Sequence, residues 1–279
     1  MDRPLLVFLH LAKTGGRTVD TVLRNTFGPG YVQAESLRPH RPVGLDDDAF
    51  IAPVYTPADL DRLQRHCPWL RAVGGHTLTL DAGFHRYRPV RYLAFLREPL
   101  ARGASHYQYH RATTPEPLDW DRWCAWREHH NHQTRFFAAD GDPRRAMAAI
   151  EEHQVFVGLL ERFEESLLLA RRFVAPELHL AYHRSNTAGD NSLARELLAD
   201  AGARDRLRDM YAADVSLHAW ARDHLWPRYE AAYGPDLAEH AALLRQDPSR
   251  AFRRLPDLAA RAQHRFWIEP WVARQRRRP

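Results

Sequence analysis

The chain has 279 residues, 44% of them hydrophobic, which allows a sizeable core in one large domain or two small ones. Its formal charge of +5 and pI near 9.5 suit an anionic ligand without identifying one. Two cysteines, Cys67 and Cys124, exclude a disulfide scaffold, and no stretch approaches the ~20 apolar residues of a membrane helix.

Leu5–Leu11 is near-continuously apolar and passes straight into a Lys/Gly turn. It reads as a buried strand rather than a secretory leader, and with so few cysteines the expected compartment is the cytoplasm. A helix is predicted from near Thr18 to just before Gly28-Pro29-Gly30, followed by an irregular, Pro-rich stretch over 31–55 with acids at Asp46-Asp47-Asp48. Thr56-Pro57-Ala58-Asp59 marks a helix start, with that helix running to about Cys67. Short strands are expected at 71–76 and 91–96, the second followed by Arg97-Glu98-Pro99 and a helix to about Arg111. Helices follow near 118–129 and 143–153, then a strand at 155–159, a helix over 163–173 and a last strand at Leu178–Tyr182. Residues 192–233 have a helical pattern. The expected division is an α/β domain over 1–234 and a helical, Arg-rich extension over 235–279. Such a charged tail is ordinarily a solvated helix and a frayed end. A contact with a polyanion or another subunit is the sharper alternative.

Alternating strands and helices predict an α/β fold: a P-loop-like parallel sheet flanked by helices, with a mainly helical C-terminal part. Ligands of such sheets sit at the carboxyl ends of the strands. Lys13–Thr18, His76 and Arg97 each follow a predicted strand, so three strands deliver polar residues to one edge.

Lys13 is the only lysine, set against 39 arginines. A compact ammonium and a planar guanidinium differ where one oxygen must be met by one point charge. Lys13 lies between an apolar strand and a helix start, beside Gly15 and Gly16. Freed amides, a helix N-terminus and a lysine together make an anion site. The ATPase loop Gly-x-x-x-x-Gly-Lys-Ser/Thr is absent, because here the lysine precedes the glycines, and no Gly-x-Gly-x-x-Gly follows a strand. His129-His130-Asn131-His132 lacks the spacing of a zinc site, so no metal is expected.

These segments resemble the sulfotransferases that use 3′-phosphoadenosine 5′-phosphosulfate (PAPS). "HLAKTGGRT" (10–18) resembles their 5′-phosphosulfate loop, and "YLAFLREPLARGASHYQYHR" (92–111) their 3′-phosphate segment. "GGHTLTLD" (74–81), "FVGLLERFEESLLLA" (156–170) and "NHQTRFFA" (131–138) are similar to segments of the uronyl and heparan sulfate 2-O-sulfotransferase branch, in a soluble, bacterial-type form.

The resemblance implies that Lys13 meets the oxygen bridging sulfur and phosphorus. Thr14, Gly15, Gly16, Arg17 and Thr18 would hold the 5′-phosphate, and Arg97 and Ser105 the 3′-phosphate. His76 would be the general base, with His10 and His106 as neighbouring alternatives. Arg184, Asn186 and Thr187 would lie over the nucleotide, although Asp190 stands where the family pattern has a basic residue. Arg111, Asn131, Gln133 and Arg135 are expected to line the cleft for a hydroxyl acceptor, expected to be a carbohydrate. Trp120, Trp123 and Trp126 recur at i, i+3, i+6, as a packed helix face does, and stacking on a sugar is the alternative. No nucleic acid and no membrane span are expected. Two other readings stay open: a phosphoryl-transfer enzyme, which would need magnesium, and a non-catalytic module binding sulfated glycans or other polyanions.

Overall fold

The computed structural model describes residues 3–38, 54–114, 119–183 and 191–277. Strand β1, Leu5–Leu9, is buried at all five positions. Apolar residues on both faces are what a parallel strand covered on both sides requires. β1 lies at the centre of a five-stranded, all-parallel sheet with β2 (Tyr31–Gln33), β3 (Ala72–Gly75), β4 (Val90–Leu96) and β5 (Phe156–Leu159), in the order β2-β3-β1-β4-β5. Val7 stands between Val73 of β3 and Tyr92 of β4. The chain leaves β1 toward β2 on one side and returns past it from β3 to β4. The carboxyl end of β1 is therefore a switch point, with β3 and β4 as its neighbours.

Helices cover the sheet. They are α1 (Gly16–Phe27), α2 (Pro57–His66), α3 (Pro99–Thr113), α4 (Trp120–Ala125), α5 (His132–Arg135), α6 (Pro143–Glu152) and α7 (Phe163–Phe173). The helical C-terminal part holds α8 (Ser192–Ala199), α9 (Ala201–Met210), α10 (Ala212–Trp220), α11 (Trp226–Tyr233), α12 (Leu237–Gln246), α13 (Arg254–Gln263) and α14 (Glu269–Arg276). The starts follow the local chemistry. Thr56 and Asp59 form a capping box at α2, Glu98 accepts from the amides of Leu100 and Ala101 at α3, and Asp142 caps α6. The expected P-loop-like α/β architecture with a helical C-terminal part is the one observed.

Two elements differ from the sequence expectation. Tyr31–Gln33 falls in a stretch that reads as irregular, yet it pairs with β3 as a three-residue edge strand. Leu178–Tyr182 is buried at Leu178, Leu180 and Tyr182 but joins no sheet. Its backbone is satisfied from outside the sheet instead. The His179 amide donates to Thr26 Oγ1 (2.9 Å), the Ala181 carbonyl accepts from Asn25 Nδ2 (2.9 Å), and the Tyr182 amide donates to the Pro248 carbonyl (2.7 Å).

Residues after 235 pack onto the sheet domain. Ala241, Ile268, Trp271 and Val272 belong to the same buried cluster as β1. Asp257 of α13 accepts from Arg24 of α1 (2.8 Å), and Arg276 donates to the Ser36 carbonyl (2.9 Å). Among the described residues, no helix is long and apolar enough to cross a membrane.

Candidate active site

The loop between β1 and α1 turns through two left-handed residues, Lys13 (φ 67°) and Gly15 (φ 84°). Alternating handedness of this kind points successive amides into one concavity, and the first-turn amides of α1 add to it because they have no intrahelical acceptor. Gly16 is required by the packing: a Cβ there would lie 1.9 Å from His10 Nε2. The Thr14 hydroxyl is buried and donates to the Leu11 carbonyl (2.9 Å), so its proton closes the loop and only its amide is left for a ligand. Lys13 Nζ lies 4.7 Å from the centroid of the Tyr109 ring, a cation–π contact. Burial, then the charges of Arg97 and Arg17, lower the Lys13 pKa. No carboxylate is among the groups that shift Lys13, whereas Arg97 lies within reach of the Glu161 and Glu98 carboxylates.

Arg97, at the end of β4, is fixed by its backbone. Its amide donates to Gln133 Oε1 (2.9 Å), and its carbonyl accepts from Gln133 Nε2 (2.9 Å). Its guanidinium then reaches the loop and donates to the Lys13 carbonyl (3.2 Å). Gln133 is held in turn by Asp214, which accepts from the amides of Gln133 (3.1 Å) and Thr134 (2.7 Å) and from the Thr134 hydroxyl (2.8 Å). Ser105 lies half-buried two turns into α3, the helix that starts behind Arg97.

His76 follows β3. Its Nδ1 lies 2.6 Å from the His10 carbonyl oxygen. A carbonyl only accepts, so Nδ1 carries the proton and Nε2 keeps its lone pair. His76 keeps an exposed face, while the protein packed around its ring, followed by His10, lowers its pKa, which favours the neutral imidazole that a base requires. The ring packs on that of His10, 4.1 Å between centroids. His10 is buried and shifted down to about 4, first by burial and then by Arg17. Its Nδ1 lies 3.4 Å from Asp20, which accepts from the Tyr31 hydroxyl.

Several expected acceptor residues have other duties. Gln133 is fully buried and positions Arg97 instead of lining a cleft. Asn131 Oδ1 accepts from the Ala213 amide at the start of α10 (3.0 Å). Asn131 and Arg135 do line an open cleft of about 650 Å³, together with Arg127, His130 and Asp140. Arg111 is exposed in the last turn of α3. Trp123 is fully buried and stacks on Trp120, as a packed helix face predicts. Arg184, Asn186, Thr187 and Asp190 lie outside the described residues. Sequence reasoning missed Tyr109, the seat of the Lys13 ammonium, and Asp20 beneath His10. Asp20, four residues into α1 and otherwise in an apolar setting, was the available signal. Among the described residues, no three His, Cys, Asp or Glu side chains are arranged to hold a metal ion.

No family model matches the chain, and neither does any curated protein. Among solved structures, the crystal structure of a sulfotransferase from Alicyclobacillus acidocaldarius is similar at a TM-score of 0.44 and 19% identity, over 79% of this chain and 99% of that one.

Proposed function

We propose that the chain is a sulfotransferase that moves the sulfuryl group of PAPS to an acceptor hydroxyl by in-line displacement, with His76 as general base. The observation that carries this reading is the meeting, at one sheet edge, of an anion cradle with a mutually repelling cation set and a neutral imidazole. Lys13 and Arg97 are joined through the Lys13 carbonyl, and His76 is anchored to the strand end that opens the same loop. The arginine charges that lower the Lys13 pKa are offset by a bound anion. A pure polyanion binder would have no use for an oriented base.

The residues fit a 3′-phosphorylated nucleotide as follows. The loop amides from Thr14 to Thr18 take the 5′-phosphate, with Lys13 and Arg17 as charges. Arg97 and Ser105 take the 3′-phosphate, and Arg184, Asn186 and Thr187, outside the described residues, are assigned to the nucleotide by the resemblance alone. The co-substrate supplies an activated sulfuryl group on a phosphate leaving group. His76 Nε2 accepts the acceptor hydroxyl's proton as the new oxygen–sulfur bond forms. As the bond from sulfur to the bridging oxygen breaks, Lys13 meets the charge growing on that oxygen, a contact stronger in the transition state than in the ground state. Asn131, Arg135 and Arg111 are assigned to the acceptor by the family resemblance, and a carbohydrate of the kind used by the uronyl and heparan sulfate 2-O-sulfotransferase branch is the proposed class. Cys67 and Cys124, both buried and unpaired, accord with action in the cytoplasm.

The test is calorimetric titration with 3′-phosphoadenosine 5′-phosphate, without metal and with ATP as the control ligand. Tighter binding of the 3′-phosphorylated nucleotide, weakened about tenfold or more by Lys13→Ala, is expected. Preference for ATP, or a requirement for magnesium, would overturn the reading in favour of phosphoryl transfer. A turnover assay adds a second readout: His76→Ala is expected to lower kcat about 10²–10⁴-fold with nucleotide binding retained.

A further inference from the structure

The basic charge of this chain is concentrated at one end. Residues 250–279 hold nine arginines against Asp257 and Glu269, a net +7, whereas the whole chain carries +5, so residues 1–249 sum to −2. Part of this segment is also unusually apolar on its outside. Leu255 is 80% exposed, Leu258 59%, Phe266 73% and Trp267 48%.

α13 has two faces. The inner one packs on α1 and on Gly28–Gly30, with Ala260 and Asp257 buried. Leu255, Leu258 and Ala262 recur at i, i+3, i+7 on the outer one, and Phe266 follows a turn later. Arg254, Arg261 and Arg265, spaced i, i+7, i+11, form an exposed row along one flank of that stripe. The stripe is rigidly mounted. Trp267 stacks on His66 (4.8 Å between centroids), and Asp257 bonds both Arg24 (2.8 Å) and Arg261 (2.7 Å). Beside it lies a cavity of about 210 Å³ lined by Arg24, Tyr31, Arg261, His264, Arg265 and Glu269, in which Arg24 and Arg261 pair with Asp257 and His264 lies beside Glu35 and Glu269.

We infer that this face docks on an anionic lipid bilayer, with Leu255, Leu258 and Phe266 entering the interface and the arginine row meeting acidic headgroups. An apolar ridge flanked by arginines is the pattern of an interfacial helix, which lies on a bilayer and does not cross it. A second copy of the chain is the wrong occupant, because a twofold contact through the ridge would set each arginine row against its equal. A bilayer supplies the opposite charge and a flat apolar layer together. This surface is made by α13 and the turn after it, separately from the strand edge that holds Lys13.

The test is co-sedimentation of the full chain with vesicles of phosphatidylcholine alone, or with about three parts in ten of phosphatidylserine. Binding is expected to be about tenfold or more tighter to the acidic vesicles and lost in 0.5 M NaCl. The triple variant Leu255→Ser, Leu258→Ser, Phe266→Ser is expected to lose binding with its thermal midpoint kept, since all three side chains are exposed. Arg254→Gln with Arg265→Gln is expected to abolish the preference for acidic vesicles. Equal or absent binding to both vesicle types would overturn the proposal. So would a triple variant that binds like the parent chain, inorganic phosphate or a short DNA duplex that competes fully at equal charge, or a sedimentation equilibrium in which the triple variant turns a dimer into a monomer.

Discussion

Arg97 and Arg102 stand five residues apart, one just before α3 and the other in its first turn, and they meet opposite surroundings. Arg97 is half-buried, clamped by its backbone to Gln133, and its guanidinium reaches the loop of Lys13 at the sheet edge. Arg102 has no exposed surface. Its guanidinium lies 4.8 Å from the Tyr211 ring centroid, and none of its three nitrogens makes a hydrogen bond. Its surroundings are His106, His129 and His132, whose pKa values burial lowers, with its own charge as a further cause, and the carboxylate of Asp214. Arg97 precedes the helix and stays at the sheet edge beside the Lys13 loop, while Arg102 lies on the buried side of α3 against Tyr211. A basic residue is a candidate for ligand binding only when the fold leaves it at an open edge, whatever its sequence neighbours.

The comparison breaks most readily at Arg102. Arg102→Ala empties a fully buried site beside Tyr211, and the expected loss is about 2–5 kcal/mol of stability, as for other large-to-small core changes, read from the urea midpoint. A loss below about 1 kcal/mol would mean that the cost of burying this unpartnered cation offsets its packing. Arg97→Ala is expected to do the opposite. Affinity for 3′-phosphoadenosine 5′-phosphate should fall by about 1.5–3 kcal/mol in calorimetry, with the unfolding midpoint nearly unmoved. The third test concerns acid. His129 is buried and its pKa is shifted to about 3, first by burial and then by His110 and Arg102. The unfolded imidazole binds protons near its ordinary 6.5, so below that pH the unfolded state holds more protons and stability falls as pH drops toward the folded value. At pH 5 the expected cost is about 2 kcal/mol, and His129→Gln should remove that share of the loss between pH 7 and pH 5. A variant with the same acid sensitivity as the parent would place the effect on the other imidazoles.

The main architecture was legible in the sequence because local pattern and tertiary role agree in it. β1 reads as a buried strand because it is covered on both faces, and the caps at Thr56, Glu98 and Asp142 act within three residues of themselves. What misled was non-local. Leu178, Leu180 and Tyr182 alternate as a strand does, but the partners of that backbone are Thr26, Asn25 and Pro248, brought together only by the finished fold. β2 is three residues long and owes its pairing to β3. Amide side chains were misread for a related reason. Gln133 carries the groups of a ligand contact, and only the position of Arg97 shows that both are already engaged. Within the candidate site, Lys13, His76 and Arg97 could be picked out because each ends a strand. Tyr109 could not, because aromatic residues on a helix give no sign of which one receives an ammonium.

The lone lysine has a practical consequence. No other side chain in this protein carries a primary amine, and the crowding and neighbouring charges that depress its pKa also enlarge the fraction present as free base. An acylating reagent near neutral pH therefore has one side-chain target, and that target sits in the loop proposed to bind the nucleotide. A peptide map of the labelled chain, which separates Lys13 from the terminal α-amine, then reports how accessible that loop is, without an engineered reporter and before any acceptor is known.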